Sequence, residues 1–177
     1  MSSQASITTE SLDTVTAYIS LGSNLPSKFG EPKATVLAAI ERLAAFAQAT
    51  PLASSLYSTE PVACPLGTPD FVNAAVLLVV SVSLSAESLL LALLDIEKQF
   101  GRQPASIRNS ARCLDLDLIS YENQIVNDEF LILPHPRATQ RRFVLQPLAE
   151  IAPNLVLPGQ SHTVTQLLDQ LANPNVA

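Results

Sequence analysis

In Arg112-Cys113-Leu114-Asp115-Leu116-Asp117-Leu118-Ile119, two aspartates alternate with three leucines. Period-two alternation marks a half-buried strand, with the leucines inward and both carboxylates on the other face. Residues two apart on a strand stand roughly 6.5–7 Å apart. Carboxylates so spaced can share one divalent cation, or hold two about 3.5–4 Å apart. A hard ion such as Mg²⁺ takes oxygen ligands and commonly bridges to a phosphate chain. Arg112, three residues before the first aspartate, suits such a phosphate. Alone, the pair is weak evidence, since a solvated strand face carries the same pattern. Its weight depends on what else in the chain agrees with it.

Four other groups have types that can do chemistry. Tyr57-Ser58-Thr59-Glu60-Pro61 precedes Phe71-Val72-Asn73 across a loop. Phe71 and Asn73 share a strand face, so a ring and a carboxamide can stack on a flat heterocycle and read its edge. A core Phe beside an Asn bonded to backbone has the same sequence. Glu97 ends a helix and works against its macrodipole, which implies a cation or ligand nearby, and Arg102 follows it. Leu133-Pro134-His135-Pro136-Arg137 holds a histidine on a stiff, extended segment beside an arginine, a candidate phosphate donor. Arg141-Arg142-Phe143 adds cations and a second aromatic. Together these groups suit a nucleotide phosphate chain and a planar ring. The chain lacks a GxxxxGK[ST] loop and the protein-kinase signatures.

The charge distribution agrees. The net charge of −6 argues against a general nucleic-acid or membrane-surface binder. Yet six of the ten Lys and Arg residues are arginines between 102 and 142: Arg102, Arg108, Arg112, Arg137, Arg141 and Arg142. An acidic chain that gathers its arginines in one stretch is expected to bind an anion there. Cys64 and Cys113 suggest neither a disulfide framework nor a zinc site, and fit a reducing cytoplasm. Residues 1–14 lack the basic and apolar regions of a secretory signal and read as a disordered tail. No apolar run reaches the roughly 18–20 residues that span a bilayer.

Several elements would position these groups. Val15 to Leu21 alternates as a strand and meets Gly22-Ser23-Asn24, a turn signal. Pro32 opens a helix with Val36, Leu37, Ile40, Leu43, Ala44 and Ala47 at helical spacing. A second strand covers Leu52 to Thr59, a Pro-rich loop Glu60 to Asp70, and a central strand, buried on both faces, Phe71 to Leu84. Ser85 caps the next helix, and Gly101 ends it. Residues 102–112 form a polar loop into the aspartate strand. Glu122 to Leu133 reads as a hairpin or arm, Phe143 to Ala149 as a short helix, and Thr163-x-x-Gln166 as a capping box opening a last helix. The order is the β-α-β-β-α-β pattern of an α+β, ferredoxin-like core with additional strands and helices, expected to form one domain over residues 15–177.

In order along the chain, these motifs resemble the 6-hydroxymethyl-7,8-dihydropterin pyrophosphokinases of folate biosynthesis, from Ala17-Tyr18-Ile19-Ser20-Leu21-Gly22-Ser23-Asn24 to Phe143 through Pro153. The resemblance implies transfer of pyrophosphate from ATP to the pterin's hydroxymethyl oxygen, with release of AMP. It implies that Asp115 and Asp117 hold two Mg²⁺ ions and that Arg102 and Arg112 stabilise the transferring group. His135 and Arg141 would bind phosphates, and Glu97 and Leu118 would line the nucleotide pocket. Phe71 and Phe143 would sandwich the pterin, with Asn73 and the segment of Thr59, Glu60 and Val62 reading its edge. The chain departs from many members at Pro104, where a second arginine is common, and at Asn109-Ser110-Ala111, in a loop that often carries Trp; here there is no Trp at all. That departure keeps a second reading open, a catalytically weak pterin- or nucleotide-binding module on the same scaffold. A nucleotidyltransferase is disfavoured, because Gly22-Ser23 and the Asp pair are over ninety residues apart. A monomeric cytoplasmic enzyme is expected, with small-molecule substrates and neither nucleic-acid nor membrane partners.

Overall fold

The alternating segment after residue 13 becomes the spine of one antiparallel sheet. The computed structural model describes residues 13–62, 64–102 and 111–172. Its elements are β1 (Thr14–Ser23), α1 (Pro32–Leu43), β2 (Leu52–Ala53), β3 (Tyr57–Thr59), β4 (Phe71–Ser81), α2 (Ala86–Gln99), β5 (Asp115–Tyr121), β6 (Val126–Asn127), β7 (Ile132–Leu133), α3 (Arg142–Ile151) and α4 (Val164–Ala172). The sheet runs β2-β4-β1-β5, with β3 also paired to β4. With β2 and β3 counted as one interrupted strand, this is the ferredoxin-like α+β core. Strands β6 and β7 form a separate hairpin.

Leu116 and Leu118 of β5 and the odd residues of β1 face α1 and α2. Ala17, Ile19, Leu21, Leu116 and Leu118 pack there with Val36, Ala39 and Leu43 of α1 and Leu89, Leu93 and Ile96 of α2. Each fully buried Val, Leu or Ile among them stabilises by about 1.5–3 kcal/mol. The opposite face is covered by α3 and α4, whose Val144, Leu145, Leu148, Val164 and Leu167 cluster with Ala75 and Ile119. Helix ends follow the chemistry of their residues. Ser85 Oγ accepts the Ser88 amide, Gly101 leaves α2 at φ +96°, and Thr163 and Gln166 exchange reciprocal bonds at the start of α4.

Four expectations need correction, and one feature of β5 adds to them. Gly22 and Ser23 do not turn; β1 continues to Ser23, and Thr14 already belongs to it. Leu52 to Thr59 is broken, because Ser54 Oγ takes the Ala75 amide at 3.0 Å and replaces regular pairing there. In α1, Leu37 is 45% exposed and Ala39 takes the core position. Strand β4 stops at Ser81, and only its stretch 73–76 is buried on both faces. In β5 the register with β1 slips at Ile119, which alternation already places on the α3 face, and this bulge returns Tyr121 to the α2 face. The tail at residues 1–12 and the loop positions Pro104, Arg108 and Asn109 lie outside the described residues.

Candidate active site

Strand register assembles the site. Asp115 pairs with Gly22, Gly22 with Asn73, and Asn73 with Tyr57, so one row crosses β5, β1, β4 and β3. The neighbouring rows put Asp117 beside Ser20 and Phe71 beside Thr59. The side chain of Asn73 is buried and donates to Thr59 Oγ at 2.7 Å. Gly22 stands between Asp115 and Asn73 in that row, and a Cβ there would stand a tight 3.0 Å from Asn73 Oδ1.

Cations surround the two carboxylates. Asp115 Oδ1 is 2.8 Å from Arg112 Nη1 and 3.1 Å from Arg102 Nη1. Asp117 is 3.7 Å from Arg141 Nη1 and 3.9 Å from His135 Nε2. Burial, with Asp115 adjacent, pushes the Asp117 carboxyl above its ordinary range. The backbone of His135 is fixed by its amide on the Ile119 carbonyl at 2.8 Å. Its Nδ1 accepts the Arg137 amide at 3.2 Å, so in the neutral ring Nε2 carries the proton and aims it toward Asp117. Burial lowers the His135 pKa and favours that neutral donor.

Glu97 is 1% exposed, and its carboxylate accepts the Leu116 amide at 2.7 Å and pairs with Arg102. Burial pushes its pKa up to about 7. Despite the opposing cost of burial, Glu97 and Asp115 hold the Arg102 guanidinium above its usual pKa. Glu97 thus ties α2 to β5 from behind.

A cleft of about 560 Å³ opens over this row. Thr59, Glu60, Val62, Phe71, Asn73 and Phe143 line one side, and Arg102, Arg112, Asp115, Asp117, His135 and Arg141 the other. Leu118 lines it too, and Glu97 does not. The Arg141 guanidinium lies 5.4 Å from the Phe143 ring centre and links the two ends. Several contributors escaped the sequence reading. Leu90, Leu94, Phe130 and Ile132 add an apolar wall. Asn24, read as a turn residue, is buried, accepts the Arg112 amide at 2.8 Å and donates to the Pro69 carbonyl at 3.1 Å. Ser23 donates to the Cys113 carbonyl. A Gly-Ser-Asn run gives no local sign of partners some ninety positions away.

The donor set suits a hard cation that brings ligands of its own. Two half-exposed carboxylates face the cleft. Among the described residues, no three His, Cys, Asp or Glu side chains form a metal cage. Remaining ligands would come from phosphate oxygens or water. No helix among the described residues is long and apolar enough to cross a membrane.

Residues 18–153 match the family model for 7,8-dihydro-6-hydroxymethylpterin-pyrophosphokinase. The chain is 40% identical over 159 residues to the 2-amino-4-hydroxy-6-hydroxymethyldihydropteridine pyrophosphokinase of Haemophilus influenzae, covering 90% of this chain and 94% of the relative. It is 36% identical over 166 residues to the folic acid synthesis protein fol1 of Pneumocystis carinii, covering 94% of this chain but only 21% of that longer protein. The crystal structure of wild-type HPPK-DHPS from Plasmodium falciparum superposes with a TM-score of 0.66 at 14% identity, covering 92% of this chain and 42% of that one, a likeness of fold.

Proposed function

The chain belongs to the 7,8-dihydro-6-hydroxymethylpterin-pyrophosphokinase family, and from that premise we propose that its cleft transfers pyrophosphate from ATP to the hydroxymethyl oxygen of 6-hydroxymethyl-7,8-dihydropterin, a step of folate synthesis, and releases AMP. One observation carries the assignment of roles. A single cleft joins paired carboxylates ringed by Arg102, Arg112, Arg141 and His135 to a compartment of Phe71, Asn73, Thr59 and Phe143.

The phosphate chain would lie across the charged end. Asp115 and Asp117 would hold Mg²⁺, two ions in the fullest form of the reading, and the metal would neutralise phosphate oxygens and help hold the chain in line. Arg112, Arg102 and Arg141, now engaged with the aspartates, have the fork geometry to move onto phosphate oxygens once those carboxylates turn to the cation. His135 would donate its Nε2 proton to a phosphate oxygen. The pterin would stack between Phe71 and Phe143, with Asn73, Thr59 and the Glu60–Val62 backbone at its edge. The new bond would join the hydroxymethyl oxygen to the β-phosphorus, the bond from that phosphorus to the α–β bridging oxygen would break, AMP would leave with that oxygen, and the hydroxyl proton would pass to solvent. No protein nucleophile is needed, so the residues act by positioning and by stabilising charge.

The test is AMP release from Mg·ATP with and without the pterin. Pterin-dependent AMP is expected, and Asp117→Asn should lower turnover by at least about a hundredfold, as loss of a group that stabilises transferring charge commonly does. Tight binding of both ligands with no AMP would instead favour a binding module on the same scaffold. Full activity in Asp117→Asn would remove that residue from the metal.

A further inference from the structure

On the outer surface, where α3 crosses β3, three donors converge on one carboxylate. Glu150 accepts the Ser55 amide, with both its oxygens at 3.0 Å, the Ser55 hydroxyl at 2.9 Å and the Tyr57 hydroxyl at 2.8 Å. Nothing in the transfer chemistry requires these groups, and none of them lines the cleft. The geometry points to Glu150 as a positioning residue that sets the distance between the two walls of the pterin compartment.

Both ends of the clamp lead into that compartment. Glu150 and Phe143 are seven residues apart on α3, hence on the same helix face and about 10.5 Å apart along its axis. Phe143 lines the cleft. On the other side Tyr57 and Thr59 belong to one short strand, and Thr59 Oγ receives the Asn73 side chain. That strand is weakly held by its own pairing. It has three residues, and the chain before it leaves the regular ladder at Ser54. A carboxylate reaching over from α3 supplies what the backbone does not. Glu150 is ionised at neutral pH as any carboxylate is, and the hydroxyl of Tyr57 holds it below its ordinary range. Charged acceptors make the stronger hydrogen bonds. The proposal deepens the assigned function and rests on it for the identity of the ligand.

The experiment is steady-state AMP release, with pterin and Mg·ATP varied separately, for wild type, Glu150→Ala, Glu150→Gln and Tyr57→Phe, together with pterin Kd by fluorescence and the unfolding midpoint. Loosening the wall by a fraction of an ångström should cost orientation. Glu150→Ala should raise the pterin KM and Kd about tenfold and leave the ATP KM within about twofold. Glu150→Gln keeps an acceptor for the Ser55 amide and should fall between. Tyr57→Phe should weaken pterin binding alone, and should add nothing in the Glu150→Ala background, since the two act as one unit. An unchanged pterin Kd, or equal rises in both KM values, would overturn the clamp. Should Glu150→Ala fold poorly, Tyr57→Phe and Ser55→Ala, each removing fewer contacts, decide by the same criterion. A wild-type chain that binds pterin but releases no AMP overturns the functional reading alone, and the Kd comparison still decides the clamp. A chain that binds no pterin overturns both.

Discussion

Glu97 illustrates how a single residue can carry a role that its sequence position suggests only in part. Its place in the last turn of α2 gives a local reason to expect a nearby cation, and Arg102 is that cation. What the local pattern does not reveal is its burial, because the strand that covers it begins eighteen residues later. The same distance hides its bond to the Leu116 amide. Burial has a measurable consequence. The folded-state pKa lies near 7, above the ordinary 4.5, so the native chain holds a proton that the unfolded chain releases. Stability from this group is therefore fully present below about pH 4.5 and is lost as pH rises toward 7, by up to about 3 kcal/mol. Glu97→Gln keeps an oxygen for the Leu116 amide and cannot ionise. Urea unfolding at pH 5 and pH 8 should show the wild type losing stability relative to Glu97→Gln as pH rises. Parallel pH profiles would mean that the Arg102 charge and the Leu116 amide cancel both the cost of burial and the repulsion from Asp115.

At the scale of elements, the site is a consequence of register, and Gly22 is where register leaves least room. Asn73 cannot swing away freely from an added Cβ, because Thr59 holds its amide. Gly22→Ala should cost about 1–3 kcal/mol of stability through overpacking and should weaken pterin binding several-fold while sparing ATP. Calorimetric titration with each ligand checks this, and equal affinity for pterin in the variant would separate the Asn73 geometry from recognition. The faces of β1 and β5, the cap at Ser85 and the capping box at Thr163 were legible, because alternation and capping are local in sequence. The broken second strand, the bulge at Ile119 and the anchoring by Ser23 and Asn24 were not. Each depends on a partner from another element: Ala75 for Ser54, β1 for Ile119, and the Arg112–Cys113 backbone for Ser23 and Asn24.

For the molecule as a whole, the balance of charge decides how a metal can arrive. The chain is acidic, at −6, yet around the phosphate end Asp115 and Asp117 face Arg102, Arg112 and Arg141, and Glu97 titrates near 7, so the guanidinium groups match or outnumber the ionised carboxylates there. A bare divalent ion would have to compete with guanidinium groups already on Asp115 and Asp117, and it would find two carboxylates where a hard cation wants about six oxygens. An ion carried by a nucleotide meets a different site. On the proposed reading its phosphates would supply the missing oxygens and would give the displaced arginines new partners. Millimolar Mg²⁺ alone should therefore move the unfolding midpoint by less than about 1 °C. Mg²⁺ with α,β-methylene ATP, which cannot undergo cleavage of the α–β bridge, should raise it. At a ligand concentration a hundredfold above Kd the gain is about 2.7 kcal/mol, or roughly 5–10 °C for a chain of this size. A saturable shift of equal size with Mg²⁺ alone would mean that the carboxylates form a metal centre before nucleotide binds. The arginines would then be held on Asp115 and Asp117 too weakly to serve as the reservoir of charge that the proposed transfer needs.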